Sequence, residues 1–296
     1  MLGKIAFFET CDRIDIAADR AAILPALQRH LQSDSRAASV TPALGGTLGI
    51  CFDAEIAGEK RFLKTHLPGR DARASLARET DILIRLYGDT VVRDRFEVTL
   101  GDGSARLCLL MPALTPLPGP MQPADAAALM HGCHERLADW QPDDLPTFQH
   151  YLSTATRALK TLSERDLLEQ ASATELRLLM SVLEERYPTL PTTLCHGDFG
   201  PKNIMLDGAE PRIIDWEDAF LGIDGYDYLY WLTFMENRPF LQTAAFGRTG
   251  LAPDIERAIL ALVVLLKSYL AVCSGAYLKH AVSAEARITE ILQLPL

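Results

Sequence analysis

The chain has 296 residues, of which 48% are hydrophobic, so it can bury a substantial core, and its length predicts two lobes more readily than one compact domain. Its 29 Lys and Arg residues against 39 Asp and Glu residues give a formal net charge of −10, which argues against a nucleic acid or an anionic membrane as partner. The same charge weakly favours cationic substrates over anionic ones.

The cysteines and the apolar segments predict a soluble protein of a reducing compartment. The six cysteines are scattered along the chain and lack the close pairs of a zinc site or a disulfide framework. Residues 1–13 carry charge on both sides of a very short apolar stretch, so we expect no signal peptide and a cytoplasmic location. The continuous apolar run 259–266 is too short to cross a bilayer and predicts a buried helix.

The first 111 residues predict a small lobe built on an antiparallel sheet. Apolar residues at helical spacing predict a leading helix over 17–32. Further runs predict strands over 40–44, 48–56, 60–66, 95–100 and 106–111, with a helix over 72–87. Gly45, Gly46 and Gly49 lie between the first two strands, a pattern typical both of an ordinary hairpin and of a loop that covers phosphate groups.

A proline-rich segment, 112–123, predicts a hinge and linker, and the rest of the chain is mostly helical. Apolar residues at spacings of three and four predict helices over 124–140, 147–163 and 173–187. His131 and His134 fall in the first of these helices. We expect no metal site there, because the side chains of that stretch spread over different helix faces.

Residues 194–218 are the most informative segment, with the sequence LCHGDFGPKNIMLDGAEPRIIDWED. They place Asp198, Asn203 and Asp215 at the spacing that a phosphoryl-transfer site needs. An Asp and an Asn five residues apart on one loop let one side chain face a hydroxyl and the other face a metal ion. The isoleucines before Asp215 predict a strand that returns this residue beside Asn203. A plain hairpin with an Asp-Gly turn is the alternative, but it does not explain the three separated polar groups.

This arrangement resembles the aminoglycoside phosphotransferase and choline kinase family, the small-molecule relatives of the protein kinases. The resemblance is carried by His196-Gly197-Asp198 with Asn203, by Ile214-Asp215-Trp216, and by the run from Gly222 to Asp227. It implies an α+β, bilobal protein-kinase-like fold, with a small N-terminal antiparallel-sheet lobe and a larger, mainly helical C-terminal lobe. The implied domains are a nucleotide-binding lobe with a leading helix (1–111), a hinge and linker (112–123), and a catalytic and substrate-binding lobe (124–296).

The resemblance also implies roles in binding ATP or GTP. Lys64, fixed by Glu79 on the following helix, is expected to neutralise phosphate oxygens, although Lys and Glu are also common surface charges. With the later motif present, the three glycines favour a nucleotide-covering loop. Pro112 has no N–H, so we expect its carbonyl group and the N–H of Leu114 to bind adenine.

In the catalytic lobe, the resemblance implies that Asp198 accepts or orients the proton of the substrate hydroxyl. Asn203 and Asp215 are expected to hold Mg²⁺. His196 is expected to be structural, with its ring bonded to the loop backbone. Asp227 is expected to brace the same loop, in a supporting role rather than a chemical one.

The acceptor pocket is less well defined by the sequence. Glu217, Asp218 and Asp224 are candidate substrate contacts and are equally well explained as solvated loop carboxylates. As substrate contacts they favour an amine-bearing or polyhydroxylated acceptor. Aromatic residues of the next helical stretch predict packing rather than a stacking platform. These are Tyr226, Tyr228, Tyr230 and Trp231.

We therefore expect a Mg²⁺-dependent phosphotransferase that uses ATP or GTP to phosphorylate a hydroxyl of a small polar molecule, such as an aminoglycoside or an amino sugar. An aminoglycoside acceptor would connect the enzyme with antibiotic resistance. A kinase for choline or another small alcohol is an alternative with the same fold. A protein kinase is disfavoured because no Ala-Pro-Glu segment follows the motif. A non-catalytic pseudokinase scaffold is disfavoured because Lys64, Glu79, Asp198, Asn203 and Asp215 occur together.

Overall fold

A computed structural model of the chain describes residues 1–10, 15–33, 38–43, 49–140, 142, 144–279 and 281–295. Contacts divide the chain into two compact units. The helical unit consists of Met1–Glu9, Leu117–Ile204 and Asp218–Leu296. The sheet unit consists of Thr10–Pro116 and Met205–Glu217.

The described residues up to Pro116 form three helices and six strands. They are α1 (Leu2–Thr10), α2 (Ile16–Ser33), β1 (Ala38–Pro42), β2 (Gly49–Ile56), β3 (Glu59–His66), α3 (Arg70–Tyr87), β4 (Asp94–Thr99), β5 (Ala105–Pro112) and β6 (Thr115–Pro116). Five of these strands make an antiparallel sheet in the order β1-β2-β3-β5-β4. The predicted leading helix, five-stranded sheet and intervening helix are confirmed.

The described residues after Pro116 form seven helices and four short strands. They are α4 (Pro123–Leu137), α5 (Phe148–Glu164), α6 (Gln170–Arg186), β7 (Thr192–Cys195), β8 (Ile204–Asp207), β9 (Glu210–Ile213), β10 (Phe220–Ile223), α7 (Tyr226–Leu232), α8 (Arg238–Ala244), α9 (Pro253–Cys273) and α10 (Ala284–Leu292). The three helices predicted between 124 and 187 are confirmed. Within the described ranges, none of the helices has the length and apolar character needed to span a membrane.

The fold of the sheet unit depends on a tight turn between two of its strands and on a helix that buries one face against the sheet. Ala57 and Gly58 join β2 to β3, and both have positive φ (53° and 82°), which matches the right-handed twist of the two strands. Helix α3 packs on β3 and β5. Its Leu76, Ile82 and Leu83 are buried, as expected of the apolar stripe of a helix that covers a sheet.

A second, three-stranded sheet of the sheet unit has the order β6-β8-β9. The hairpin between β8 and β9 turns at Gly208, whose φ is +64°, so the predicted Asp-Gly turn is confirmed. The end of this hairpin is fixed to α3, because Ile213 N–H donates to the Tyr87 hydroxyl at 2.9 Å. The guanidinium of Arg212 lies over the same ring at 5.1 Å.

The helical unit is built around α9. Helices α5, α6, α7 and α10 all pack against α9. The run 259–266 lies inside α9 and is fully buried, so the predicted buried helix is confirmed. The hydrophobic core of this unit therefore surrounds one long apolar helix.

The helix α1 is absent from the sequence predictions, which assign residues 1–9 to the N-terminal lobe. In the structure, the side chains of Met1 and Ile5 are buried within the helical unit. Glu9 accepts a hydrogen bond from the Tyr269 hydroxyl at 2.6 Å and pairs with Arg157 at 3.3 Å. Local sequence does not reveal this placement, because these partners lie 260 and 148 positions away.

Residues 205–217 also differ from the predicted division, since they pack in the sheet unit rather than with residues 124–296. The reason is the β6-β8-β9 sheet and the contact of β9 with Tyr87. Both units are discontinuous along the chain, whereas the predicted boundaries are continuous. As domain boundaries, 1–111, 112–123 and 124–296 stay a prediction.

The buried face of α9 predicts a large effect of a single truncation. Leu262 is completely buried, so Leu262→Ala should lower the free energy of unfolding by about 2–5 kcal/mol through lost burial and an unfilled cavity. Leu178→Ala is the matched control, because this α6 residue is 58% exposed, and it should change stability by about 0.5 kcal/mol or less. Urea unfolding measures both values, and equal effects of the two substitutions would contradict the placement of α9.

Candidate active site

The loop 196–203 connects β7 to β8 and carries the predicted base and one predicted metal ligand. Its shape requires glycine at two positions. A Cβ atom at Gly197, where φ is +80°, would lie 2.3 Å from the carbonyl oxygen of Asp218. A Cβ atom at Gly200 would lie 2.5 Å from the ring of Phe234. Such approaches are far inside van der Waals contact, so larger side chains would displace the loop.

The same loop is fixed by hydrogen bonds to its backbone. The fully buried carboxylate of Asp227 accepts from the N–H of His196 at 2.7 Å and from the N–H of Gly197 at 3.0 Å. The His196 ring accepts from the N–H of Asp198 at 3.2 Å. The amide nitrogen of Asn203 donates to the carbonyl oxygen of Asp198 at 2.8 Å. The residues predicted to brace the loop therefore contact its backbone.

The Asp198 carboxylate is bound by two side chains that the sequence did not single out as its partners. It accepts from Nζ of Lys4 and from the hydroxyl of Tyr230. Burial alone would raise the pKa of Asp198. The nearby ammonium groups of Lys4 and the N-terminus, together with these hydrogen bonds, instead hold its pKa well below the ordinary value. Asp198 is therefore ionised at neutral pH, and its side chain stays 15% exposed.

The sequence contains a spacing signal for the contact of Tyr230 with the loop but none for the contact of Lys4 with Asp198. Tyr230 lies on α7 three residues after Asp227, and side chains at this spacing share a helix face. The sequence prediction assigned Tyr230 to packing, and it does lie against the rings of Tyr226 and Phe234. Lys4 gives no such signal, because 194 positions separate it from Asp198.

Two predicted substrate carboxylates of the helical unit contact groups of the chain itself. Asp218 accepts from the N–H of Gly3 at 2.9 Å and forms an ion pair with the α-ammonium of Met1. Asp224 lies 3.4 Å from Nδ1 of His134. Nε2 of the same imidazole lies 3.4 Å from Asp227, so His134 links the loop-bracing carboxylate to Asp224.

His134 is electrostatically unusual for a buried imidazole. Burial would lower its pKa, but hydrogen bonds to Asp224 and Asp227 outweigh burial and raise the pKa to about 9. The imidazole is therefore cationic at neutral pH. Asp224 responds in the opposite direction, because the hydrogen bond from His134 lowers its pKa.

The sheet unit holds a second cluster around Lys64 on β3. Its ammonium contacts three carboxylates, those of Glu79 on α3 at 2.8 Å, Glu217 at 3.0 Å, and Asp215. Burial would lower the pKa of Lys64, but the three negative charges raise it well above its ordinary value. Burial raises the pKa of Glu79, with Lys64 acting against that shift. The predicted pair of Lys64 and Glu79 is thus in contact, and Glu217 joins it.

Asp215 follows β9 in an uncommon backbone conformation. Its φ is +68°, a left-handed value that non-glycine residues adopt rarely and that Asp tolerates better than most. Two contacts hold the adjoining backbone in the sheet unit. The indole of the buried Trp216 donates to Ile213 O at 3.0 Å, and the hydroxyl of Ser75 donates to Glu217 O. Retained backbone strain of this kind is characteristic of functional positions.

Gly49 lies beside Lys64 for a steric reason that the sequence did not indicate. A Cβ atom there would lie 3.0 Å from Cε of Lys64 and 3.1 Å from Thr65 O, so glycine leaves room for the lysine side chain. Gly45 and Gly46 lie outside the described residues. Pro112 ends β5 opposite Arg61, and Leu114 lies between β5 and β6 in the sheet unit.

The chemistry of the predicted metal ligands fits Mg²⁺, which prefers oxygen donors. The amide nitrogen of Asn203 is used by Asp198 O, so its amide oxygen is the atom that can ligate a cation. Asp215 offers a carboxylate. The oxygens of Glu79, Asp215 and Glu217 also lie within 4.8 Å of one another, but Lys64 supplies the positive charge among them. Convergence of Asp198, Asn203 and Asp215 stays a prediction.

Comparison with known sequences identifies one matching family. A family model described as the phosphotransferase enzyme family matches residues 17–260. This range includes Lys64, Glu79 and the loop 196–203, and it begins after α1. A search of curated proteins gives no match.

Comparison with solved structures shows the fold. The chain is similar to aminoglycoside phosphotransferase APH(4)-Ia, with 13% identity and a TM-score of 0.59 over 92% of this chain and 99% of that chain. It is also similar to choline kinase from Cryptosporidium parvum Iowa II, with 12% identity and a TM-score of 0.59 over 94% and 93% of the two chains. A microcompartment-associated aminopropanol kinase has 17% identity and a TM-score of 0.57 over 90% and 93%. The predicted α+β, kinase-like fold is confirmed.

The environment of His134 predicts a pH-dependent contribution to stability. Its folded-state pKa of about 9 lies above the ordinary value of 6.5, so the contribution is complete below about pH 6.5 and is lost as pH rises through 9. His134→Gln should therefore lower the free energy of unfolding by on the order of 2–3 kcal/mol at about pH 6 and by much less at about pH 10.

Urea unfolding at the two pH values measures this difference. The control is His131→Gln on the same helix, because the His131 side chain is 70% exposed and should contribute about 0.5 kcal/mol or less at either pH. A deficit of His134→Gln that is the same at both pH values would show that its charge is irrelevant.

Proposed function

Because the chain belongs to the phosphotransferase enzyme family, we propose that it transfers the terminal phosphoryl group of ATP or GTP to a hydroxyl of a small polar molecule. The observation that carries this proposal is the state of Asp198. Its carboxylate is ionised, partly exposed, and fixed on a loop whose backbone is held by Asp227 and His196. Such a group is suited to receiving a substrate hydroxyl.

Asp198 acts mainly by orientation in this proposal. A carboxylate with a lowered pKa is a weak base, so it accepts the hydroxyl proton late, when the bond to phosphorus is forming. Before that point it accepts a hydrogen bond from the hydroxyl and points the oxygen at the phosphoryl group. Because this reaction asks little covalent chemistry of the protein, positioning and charge neutralisation supply most of the catalysis.

Lys64 is proposed to bind phosphate oxygens of the nucleotide. Its three N–H donors already meet three carboxylates, so a phosphate must replace one of them. Glu79 and Glu217 are nearly inaccessible, with side-chain exposures of 1% and 6%, whereas Asp215 is 27% exposed. Asp215 is therefore the partner that leaves, while Glu79 keeps the ammonium in position.

Once released from Lys64, Asp215 can act with Asn203 in holding Mg²⁺, which neutralises charge on the phosphate oxygens when bound. Proteins of the same fold support a nucleotide co-substrate. APH(9)-Ia has been solved with ADP and spectinomycin, and a mutant of APH(4)-Ia with AMP-PNP and hygromycin B. A pseudokinase scaffold would have no physical need for this set of charged groups.

Asp198→Asn should separate binding from turnover. The amide keeps the shape of the side chain but cannot accept the hydroxyl proton, so turnover should fall by about 100-fold or more while nucleotide affinity is retained. A nucleotide-consumption assay over sugars, amino sugars, aminoglycosides and small alcohols measures turnover, and calorimetry measures affinity. Undiminished turnover in this variant would exclude Asp198 as the group that receives the hydroxyl.

Asp215→Asn should abolish Mg²⁺-dependent nucleotide binding, because the carboxylate ligand is lost while Asn still tolerates the left-handed backbone. Binding of Mg-ATP at 100 times its Kd should stabilise the wild-type protein by about 2.7 kcal/mol, which a thermal-shift measurement detects. Asp53→Asn, at an exposed position of β2, is the control and should keep the full shift. An equal shift in all three proteins would remove Asp215 from the metal site.

A further inference from the structure

We propose that Lys4 is a positioning and specificity residue of the acceptor site, which holds the Asp198 carboxylate and selects an alcohol that carries no ammonium group near the reacting hydroxyl. The inference rests on the proposed phosphotransferase function. It deepens that function by naming a substrate class. The residues matched by the family model begin at 17, so the model assigns no role to Lys4.

Lys4 belongs to a helix that is firmly built into the helical unit. Met1 and Ile5, on either side of it, are buried to 0% and 1% exposure. At the end of α1, Glu9 binds Tyr269 and Arg157. The Lys4 ammonium therefore reaches Asp198 from a fixed scaffold. The fold of the helical unit therefore keeps Lys4 beside Asp198.

The carboxylates that were expected to attract an amine already have cationic partners. In the helical unit, Asp218 pairs with the α-ammonium of Met1 and Asp224 pairs with His134. The expected base, Asp198, likewise pairs with Lys4. In the sheet unit, Glu217 pairs with Lys64. At Asp198, Asp218 and Glu217, whose side chains are at most 15% exposed, an acceptor ammonium would have to replace a fixed cation of the same charge. Such a replacement gives no net Coulombic gain and adds repulsion between like charges.

The aromatic faces beside Asp198 are occupied as well. Stacked or facing rings are the other common means by which proteins bind ammonium groups. Nζ of Lys267 lies 3.8 Å from the ring centre of Tyr230 and 3.4 Å from that of Phe234, and it is hydrogen-bonded to Thr233 at 2.7 Å. Burial lowers the pKa of Lys267, but its amine covers one face of each ring in either protonation state.

These observations point to an acceptor without an ammonium group, such as a sugar or polyol. The side chains of Lys4 and Asp198 keep exposures of 17% and 15%, so a hydroxyl can approach the carboxylate beside the ammonium. An ionised carboxylate has lone pairs for more than two donors, which allows it to bind Lys4, Tyr230 and the substrate hydroxyl together. Lys4 thus orients the carboxylate that orients the substrate.

The test compares matched acceptors in the full-length protein. Glucose is paired with glucosamine, and 1,3-propanediol with 3-amino-1-propanol, and kcat and KM are measured for wild type, Lys4→Gln and Lys4→Arg. In wild type, kcat/KM should be about tenfold or more higher for the acceptor without an amine. Lys4→Gln should lower kcat for that acceptor and reduce its advantage by about tenfold, whereas Lys4→Arg should preserve the wild-type ratio.

Lys160→Gln controls for the loss of one positive charge, because Lys160 is a 75% exposed residue of α5, and it should leave the ratios unchanged. A wild-type preference for the amine in both pairs would overturn the inference. Faster turnover of the amine-free acceptor by Lys4→Gln would also overturn it, since Lys4 would then be blocking Asp198. A uniform loss for all acceptors, with a matching loss of thermal stability, would reduce Lys4 to a structural residue and likewise contradict the inference.

A second measurement does not depend on any acceptor. Carbon-13 NMR of labelled aspartate follows the ionisation of Asp198, with Asp198→Asn used to assign its signal. The pKa of Asp198 should rise in Lys4→Gln and stay low in Lys4→Arg. An unchanged pKa in Lys4→Gln would refute the positioning role. Thermal shift with Mg-ATP separates the two proposals, because a wild-type protein that does not bind the nucleotide fails as a phosphotransferase whatever Lys4 does.

Discussion

The need to compensate charges that are partly removed from water governs the charged cluster of each unit. In the sheet unit, the ammonium of Lys64 compensates three carboxylates, of which those of Glu79 and Glu217 are almost completely shielded from water. In the helical unit, Asp198 and Asp224 each depend on one cationic side chain. Burial alone raises the pKa of a carboxyl group, and at Asp198 the ammonium of Lys4 opposes that shift. The internal pairing therefore keeps Asp198 ionised and fixes the position of each carboxylate.

The local part of this organisation could be predicted from the sequence. Periodicity located the helices and the five-stranded sheet, and the spacing of Asp198 and Asn203 identified the loop between β7 and β8. The contact between Lys64 and Glu79 was also predicted, as an implication of the family resemblance. Such features depend on residues that are near in sequence or on a motif with fixed spacing.

The remainder depends on contacts that no local pattern encodes. Nothing in the sequence indicates that α1 forms or that Lys4 meets a residue 194 positions later. Gly49 was predicted as part of a loop that covers phosphate groups, and the structure shows that it makes room for the Lys64 side chain. Glu217 and Asp218 are neighbours in sequence, but the first packs in the sheet unit and the second in the helical unit. Their different partners follow from this division of the chain and not from their residue types.

The placement of α1 has a consequence for the order in which contacts form during folding. The helix is synthesised before its partners Asp198, Asp218 and Tyr269, which lie 194, 215 and 260 positions after the α1 residues that they contact. Contacts between such distant parts of a chain form late, because the loop between them must close before the contact is gained. Until then the apolar side chains of α1 stay exposed and are open to chaperones. The environment of the Asp198 carboxylate is thus complete only after α1 has packed against elements that are synthesised much later.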